Sequence, residues 1–420
     1  MSATAAAVGP VSEGERWLAL DVLRGLAIFG ILTVNVLAFG SPARLPGYEA
    51  GAATRVDGLV DALLAFFVVG KFYTLFSLLF GVGFALQLAR AQGRGVPFVA
   101  IYARRLAWLA VLGAMHAVLL WDGDILFLYA VLGFVLLLFR RTQPRTLLMA
   151  AAVCLAASYA TMLVGDALQY RGVGPWSGPV LDRHAGMTAA EEAIAIYGGG
   201  SYAQIVAYRI AGLLRGAAVL FLEQGPTALA MFLLGLYAGR EGLLARLPEQ
   251  FGRLGGWGAG LVAAALVANA VFVYGELVVD RPVIAVGGLA VGGPLLCGVY
   301  VLAVVRILRS ARWQRGLRGV AAVGRMALSN YLLQSLVCTT IFYGYGLGFY
   351  NQMGAAVTVM AACALYAAQL ALSAYWMSRF RFGPAEWLWR SLTYGRRQPL
   401  RRYGPRWTGE ATVCPKAGPR

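Results

Sequence analysis

Charged residues and cysteines are both scarce in this sequence. Only 13% of its 420 residues are charged, whereas 60% are apolar, and the mean hydropathy is +0.68. This balance excludes a soluble globular protein and a disordered one. The five cysteines do not form a disulfide scaffold, because four lie in apolar runs and one in a polar tail, so we expect free thiols.

Recognisable soluble-enzyme motifs are also absent. The sequence has no Walker loop, no dinucleotide glycine fingerprint, no zinc-ligand spacing and no Gly-x-Ser-x-Gly elbow. We therefore expect neither a metal site nor a covalently bound cofactor. The first 17 residues carry Glu13, Glu15 and Arg16, and the following apolar run carries Asp21 and Arg24, which is not typical of a cleaved secretory signal.

Long apolar runs recur along the whole chain, each about 20 residues and therefore long enough to cross a hydrocarbon core. They predict an all-α polytopic membrane protein of about ten transmembrane helices plus interfacial helices. The predicted spans are 18–40, 65–90, 106–121, 124–139, 146–165, 222–240, 256–278, 284–305, 326–345 and 354–378.

Arginine is distributed unevenly between the connectors. With ten spans, the arginine-rich connectors at 90–105, 140–145, 240–253, 306–318 and 379–402 fall on one side, and the arginine-poor ones on the other. The positive-inside rule then places both termini in the cytoplasm. The net charge of +17 indicates contact with anionic membrane lipids and not with nucleic acid.

The domain organisation follows from these spans. We expect a cytoplasmic tail at 1–17, a single helical transmembrane domain at 18–402 and a second cytoplasmic tail at 403–420. Within the domain, 18–165 and 201–402 flank an external loop at 166–200. Residues 203–221 carry Arg209 and Arg215 and predict either an external interfacial helix or a long lead-in to the sixth span. Residues 59–70 can likewise lie in the outer interface.

Four sequence blocks occur together in a recognisable order. They are LDVLRGLAIFGILTVN at 20–35, GKFYTLFSLLFGVGF at 70–84, HAVLLWDGDILFLYAVLG at 116–133, and GRMALSNYLLQS at 324–335 with FGPAEWLWRSLTYG at 382–395. With these blocks the chain resembles the YeiB family of bacterial inner-membrane proteins, a domain-of-unknown-function group, over about residues 17–402.

That family is similar to a wider set of transmembrane acyltransferases, including the lysosomal heparan-glucosaminide acetyltransferase, with which it shares an Asp-x-x-Arg-Gly opening. The resemblance implies transfer of an acyl group from a cytoplasmic donor, such as acyl-CoA as co-substrate, to an extracytoplasmic acceptor. The acetyltransferase carries its catalytic His in the loop after the first span, whereas 41–58 contains no His here.

Ionisable groups inside a membrane are costly and therefore functional candidates. His116 lies near the external end of the third span, and Asp122 and Asp124 lie in the turn that follows. Across such a turn a carboxylate can orient an imidazole as a general base, although a neutral structural His and solvated acids remain alternatives. Asn35 and Lys71 are candidates for oxyanion stabilisation, against interhelical bonding and snorkelling.

A second group of candidates lies toward the cytoplasmic end. Asp21 and Arg24 are three residues apart and form either a structural salt bridge or, through Arg24 with Arg104 or Arg105, a clamp for donor phosphates. Asn330, Gln334 and Ser335 form a polar stripe with Tyr331 and are expected to line the same cavity. Glu386 and Arg390, four residues apart, predict an ordinary surface pair.

These observations give two functional hypotheses. The first is a membrane acyltransferase-like enzyme with catalytic groups at His116, Asp122, Asp124, Asn35 and Lys71 and a donor site at Asp21, Arg24, Arg104 and Arg105. The alternative is a transporter or a lipid- or quinone-binding protein that uses the same groups without covalent chemistry. The absence of a convincing internal repeat favours the enzyme, and association into a homodimer stays open.

Overall fold

The protein is built from helices. The computed structural model describes residues 18–42, 54–170, 183–250, 255–279 and 282–402, and within these ranges there is no β-strand, only one isolated bridge between Phe380 and Arg401. The helices are α1 Leu18–Gly40, α2 Arg55–Phe67, α3 Phe72–Gly93, α4 Phe98–Leu119, α5 Leu126–Leu138, α6 Pro144–Tyr170, α7 Arg183–Gly199, α8 Tyr202–Arg240, α9 Leu243–Gln250, α10 Gly255–Leu277, α11 Pro282–Ile307, α12 Ala311–Gly316, α13 Arg318–Arg325, α14 Ala327–Phe342, α15 Ala355–Arg379 and α16 Pro384–Tyr394.

Eight helical segments of the described chain are long and apolar enough to cross a membrane. They are Leu18–Gly40, Arg55–Gly93, Phe98–Leu119, Pro144–Gly165, Ala218–Arg240, Gly258–Leu277, Val283–Ile307 and Ala355–Arg379. The fold is therefore that of a helical membrane protein. The two remaining predicted spans correspond to α5 and α14, which have 13 and 16 residues. The total of about ten spans stays a prediction.

The second predicted span is not one continuous helix. It was expected to begin at 65, but the chain breaks between α2 and α3, where Gly70 has a φ of 80°. A Cβ on Gly70 would also lie 2.5 Å from Leu289 Cδ1 of α11. A side chain at this position would therefore be strained both by the positive φ and by the contact with Leu289. The break buries Lys71, whose Nζ donates to the carbonyl of Ala65 at 2.7 Å.

Residues 203–221 belong to the long helix α8, which begins at a capping box formed by Ser201 and Gln204 and runs for 39 residues. At ~1.5 Å per residue it is about 58 Å long, so it extends well beyond a hydrocarbon core of about 30 Å. Of the two predicted alternatives, the structure contains the long lead-in to the sixth span.

Helix α1 is central to the packing around the cavity described below. It packs against α3, α13, α14 and α15, and its side chains Ile28, Leu32 and Val36 share a buried apolar cluster with Leu109 of α4. Phe39 stacks on Trp121, with ring centroids 4.1 Å apart. The apolar face of α1 thus brings α4, the α4–α5 turn and α14 together.

Candidate functional site

The end of α4 places an imidazole against a carboxylate. His116 Nδ1 lies 2.9 Å from Asp124 Oδ1, and the two side chains are 1% and 2% exposed. Helix α4 stops here because the amides of Leu120 and Trp121 both bond to the carbonyl of His116, so the chain turns back at once into α5. Gly113 allows this close approach, since a Cβ there would lie 2.4 Å from the amide nitrogen of Phe127.

Two further contacts hold this corner. The amide of Phe127, in the first turn of α5, donates to Asp124 Oδ2 at 2.7 Å, which places the carboxylate at the positive end of a helix. Arg209 of α8 is fully buried and its Nη1 donates to the carbonyl of Leu119 at 3.0 Å, at the negative end of α4. The position of the imidazole is therefore fixed by both helix ends.

The second nitrogen of His116 contacts a hydroxyl from a distant part of the chain. His116 Nε2 lies 2.8 Å from Ser335 Oγ of α14, and Ser335 is 1% exposed. Because Asp124 faces Nδ1, the tautomer protonated at Nδ1 leaves the Nε2 lone pair to accept the Ser335 hydroxyl proton. Tyr331, one turn earlier on α14, places its ring 4.9 Å from the imidazole, centroid to centroid.

The other predicted members of this group lie elsewhere. Asp122 is half-buried, lies within electrostatic range of Tyr197 and Tyr343, and has no described ion pair with His116. Asn35 is half-buried on α1 and takes no part in the described hydrogen bonds of His116, Asp124 and Ser335. Neither residue therefore joins the imidazole.

Lys71 is also separate from this group. Besides donating to Ala65, its Nζ lies 4.8 Å from the centroid of the Phe272 ring. The turn between α2 and α3 directs the ammonium toward a backbone carbonyl and α10. Asp57 caps α2 and accepts the amide of Ala356.

A cavity of about 370 Å³ lies beside this group, between α1, α3, α4, α14 and α16. Along α1 the wall of the cavity runs from Arg24 through Ile28 to Ile31, and along α4 it runs from Arg105 to Leu109. The arginines therefore lie toward the start of each helix, and the apolar side chains lie further along it. Tyr331 is part of the wall. The arginines of the wall are Arg24, Arg90, Arg94, Arg105, Arg325, Arg381 and Arg390.

Three of the four residues predicted for the donor site line this cavity. Asp21 and Arg24 both line it and are 3.4 Å apart, with Arg24 the more exposed partner. Arg105 also lines it, close enough to Arg24 for their like charges to interact. Arg104 does not, because it points to the exposed side of α4, where its Nη1 approaches the carbonyl of Thr393 at 3.5 Å.

Helix α16 covers the arginine-rich end of the cavity. The guanidinium of Arg105 lies 3.7 Å from the centroid of the Trp389 ring, and the Trp389 indole N–H donates to the carbonyl of Arg105 at 2.9 Å. This double contact fixes α16 on the first turns of α4.

Glu386 is a buried cap and not the expected surface residue. It is 8% exposed, and its carboxylate accepts the amides of Leu328 and Ser329 at 2.7 and 3.1 Å together with the Ser329 hydroxyl. These donors belong to the first turn of α14, so the acid joins α16 to the start of that helix. Burial raises the pKa of the Glu386 carboxyl, against the hydrogen bonds that lower it.

Two members of the polar stripe face α15 and not the cavity. Asn330 Nδ2 donates to Ser373 Oγ at 3.0 Å, and Gln334 Nε2 donates to Gln369 Oε1 at 2.8 Å. Ser335 lies against His116. None of Asn330, Gln334 and Ser335 is part of the cavity wall, because the turn of α14 that lines it is the one carrying Tyr331 and Leu328.

Sequence reasoning missed several cavity residues. Arg90 and Arg94 served only to predict the orientation, although they are four residues apart and therefore share one helix face. Tyr331 was assigned only to the polar stripe. Within the described ranges no group of three or more His, Cys, Asp or Glu side chains is placed to hold a metal ion, and four of the cysteines are free thiols.

The fold and this cavity define a polytopic helical membrane protein with an arginine-rich cavity next to a buried Ser–His–Asp cluster. The chain belongs to the YeiB-like family: it is 31% identical to "Uncharacterized protein YeiB" of Escherichia coli (strain K12), over 93% of this chain and 98% of that protein. It is 38% identical to "Uncharacterized protein YxaH" of Bacillus subtilis (strain 168), over 93% of this chain and 97% of that protein.

The family model described as "Protein of unknown function (DUF418)" matches residues 238–396. A third relative is the "Uncharacterized 39.9 kDa protein in amylase 3'region" of Bacillus acidopullulyticus, 28% identical over 93% of this chain and 97% of that protein. No solved structure matches the chain.

Proposed function

We propose that this protein is an acyltransferase of the bacterial inner membrane, which moves an acyl group from a cytoplasmic thioester such as acyl-CoA to an acceptor at the external side. The observation that carries the proposal is the continuity between the arginine-rich cavity and the His116 cluster, joined by Tyr331, which lines the one and packs on the other. Anion-binding groups and a base thus lie at opposite ends of one path.

The arginine end suits a donor that carries phosphates. Guanidinium groups bind phosphate through paired hydrogen bonds, and several of them converge here, with Asp21 and Glu386 as the acidic members of the wall. The deeper wall is formed by residues such as Ile31, Phe80 and Leu109, which fit an acyl chain. The positive-inside rule assigns this end to the cytoplasm, where such donors are made.

The base end suits transfer to a hydroxyl or an amine. His116 is eleven residues beyond Arg105 on α4, about 17 Å at ~1.5 Å per residue, so it lies toward the other side of the membrane. With Asp124 at Nδ1, Nε2 can take a proton from the attacking nucleophile and return it to the leaving group. The acceptor then needs to enter only from the external side.

The test measures acyl transfer by purified protein in lipid nanodiscs, with butanoyl-CoA as donor probe and glycerol as a small acceptor, whose butanoyl ester is measured by mass spectrometry. A positioned base contributes about 10²–10⁴-fold, so H116A is expected to reduce the rate by that factor. S158A is the matched control, because Ser158 is a buried hydroxyl bonded to Thr227 away from the cavity.

A second pair of variants separates the two acids of the turn. D124N keeps an acceptor for the Phe127 amide but weakens the contact to His116 Nδ1, so a loss of about 10²-fold or more is expected, whereas D122N should change the rate by less than about threefold. Equal transfer in H116A and wild type contradicts the role of His116, whereas a wild-type protein that binds butanoyl-CoA but transfers no butanoyl group contradicts the enzyme and favours the transporter or lipid- or quinone-binding alternative.

A further inference from the structure

We infer that Ser335 is the nucleophile of this acyl transfer and carries the acyl group as an ester between two half-reactions. The inference rests on the proposed acyl transfer and deepens it, since general-base catalysis by His116 alone requires no covalent intermediate. Ser335 Oγ, the His116 ring and Asp124 Oδ1 form one chain of contacts of 2.8 and 2.9 Å. That is the arrangement in which an imidazole activates a hydroxyl.

The environment of Ser335 differs from that of the other buried serines. The hydroxyls of Ser77 and Ser158 bond to Tyr129 and Thr227, and Ser373 bonds to Asn330, so each meets a hydroxyl or an amide. Among the buried serines that the structure describes, Ser335 is the one whose Oγ faces a ring nitrogen. An imidazole can accept the proton of a serine hydroxyl, whereas a neutral hydroxyl or amide cannot do so at neutral pH.

Tyr331 lies between Ser335 and the cavity. Its ring packs on His116 and forms part of the cavity wall, and its carbonyl is 3.3 Å from Ser335 Oγ, one helical turn away. In this inference, rotation of the Tyr331 ring opens the wall of the cavity toward the hydroxyl. With the ring as it stands, Ser335 is 1% exposed, which protects an ester at this position from water.

A covalent intermediate also suits two substrates that arrive from opposite ends. In the first half-reaction Ser335 Oγ attacks the thioester carbonyl carbon and its proton passes to His116 Nε2. The carbon–sulfur bond then breaks and the thiolate takes that proton, which releases CoA. In the second half-reaction an acceptor hydroxyl or amine gives its proton to His116 Nε2 and attacks the ester carbonyl carbon, the bond between that carbon and Ser335 Oγ breaks, and Ser335 Oγ takes the proton from His116. The donor can leave before the acceptor enters.

The test is acylation of the protein by the donor alone. Full-length protein in nanodiscs is incubated with butanoyl-CoA without an acceptor, quenched in acid and analysed by intact mass and peptide mapping. One butanoyl group is expected on Ser335, stable to neutral hydroxylamine after denaturation because it is an oxygen ester. S335C is expected to carry a thioester instead, which neutral hydroxylamine cleaves. This change of chemistry locates the bond at position 335.

The controls separate this step from folding and from a neighbouring thiol. All variants are made with C338A, because Cys338 is buried on the next turn of α14. S373A should keep the label, whereas S335A and H116A should lose it, and S335A should lose about 10³-fold in transfer at an unchanged melting temperature.

The outcomes distinguish the inference from the function on which it rests. If transfer persists in S335A at the wild-type rate, or if the label is found on His116, Ser335 is not the nucleophile, but the proposed acyltransferase function is not contradicted. A wild-type protein that takes up no butanoyl group and transfers none at saturating donor overturns both.

Discussion

Buried and half-buried charges are costly at the scale of single residues, and three of those that the structure describes have a specific favourable contact. Arg209 neutralises the carbonyl end of α4, Lys71 bonds to a carbonyl, and Arg105 stacks on Trp389. At the cavity wall several arginines, Arg105 among them, also converge on one space. Such convergence is unfavourable unless an anion neutralises it.

Removal of single arginines from the cavity wall is therefore expected to weaken binding of the donor. R24A and R105A should each raise the Kd of butanoyl-CoA about tenfold, since a charge-assisted hydrogen bond contributes about 1.5–3 kcal/mol. R104A is the matched control, because that neighbouring arginine lies outside the wall. Isothermal titration with nanodisc-embedded protein measures the three dissociation constants. Unchanged affinity in both R24A and R105A would contradict the proposed donor site.

Short-range pairing at this scale was predicted better than long-range pairing. His116 and Asp124 are eight residues apart across the turn between α4 and α5, so the sequence indicated that a carboxylate reaches the imidazole, and the structure places Asp124 against it. Ser335 was expected on the cavity wall, but it bonds to His116 across 219 residues. Sequence spacing within one helix cannot specify which neighbour a side chain meets.

At the scale of helices, packing depends on how α16 is attached. Glu386 and Arg390 share a helix face, which predicted a surface pair, but the acid is buried on the first turn of α14. Gly383 provides the room, since a Cβ there would lie 2.2 Å from Glu386 Oε2. The prediction was wrong because the spacing of charges describes an isolated helix, whereas a carboxylate finds a stronger partner at the amide end of a neighbouring helix.

Loss of this cap is expected to destabilise the protein. E386A leaves the buried amides of Leu328 and Ser329 without their acceptor and should cost about 1–3 kcal/mol, whereas E386Q retains an acceptor oxygen and should lose less. The exposed Glu191 provides the control, with E191A expected within about 0.5 kcal/mol. Thermal unfolding in nanodiscs measures the order of stability of the three variants. Equal melting temperatures of E386A and wild type would contradict the role of Glu386 as a cap.

The arrangement of the whole molecule is governed by its apolar helices and by the location of arginine. Eight segments of the described chain satisfy the length and hydropathy needed to cross a membrane, and α5 and α14 are shorter, with 13 and 16 residues. The orientation stays a prediction: the arginine-rich connectors, and with them the covered end of the cavity, face the cytoplasm.

Accessibility from outside the cell tests this orientation. Single cysteines are introduced at Gln143, beside an arginine-rich connector, and at Ala185, in the predicted external segment, in a variant without Cys363 and Cys414. A membrane-impermeant maleimide applied to whole cells is expected to label position 185 and to spare position 143 until the cells are opened. The reverse pattern would invert the topology and place the arginine-rich end of the cavity outside.

The sequence by itself determined the class of protein, the approximate positions of the helices and the pairing of His116 with an acid in the next turn. These features depend on composition, on hydrophobic run length and on residues close in the chain, all of which act before helices pack. Only the tertiary structure decided that Ser335 meets His116, that Lys71 and Asn35 do not, and that Arg24 and Arg105 line one cavity under α16. These contacts depend on how each helix is rotated about its axis and on which helix packs beside it, so they arise from the packing of the whole chain.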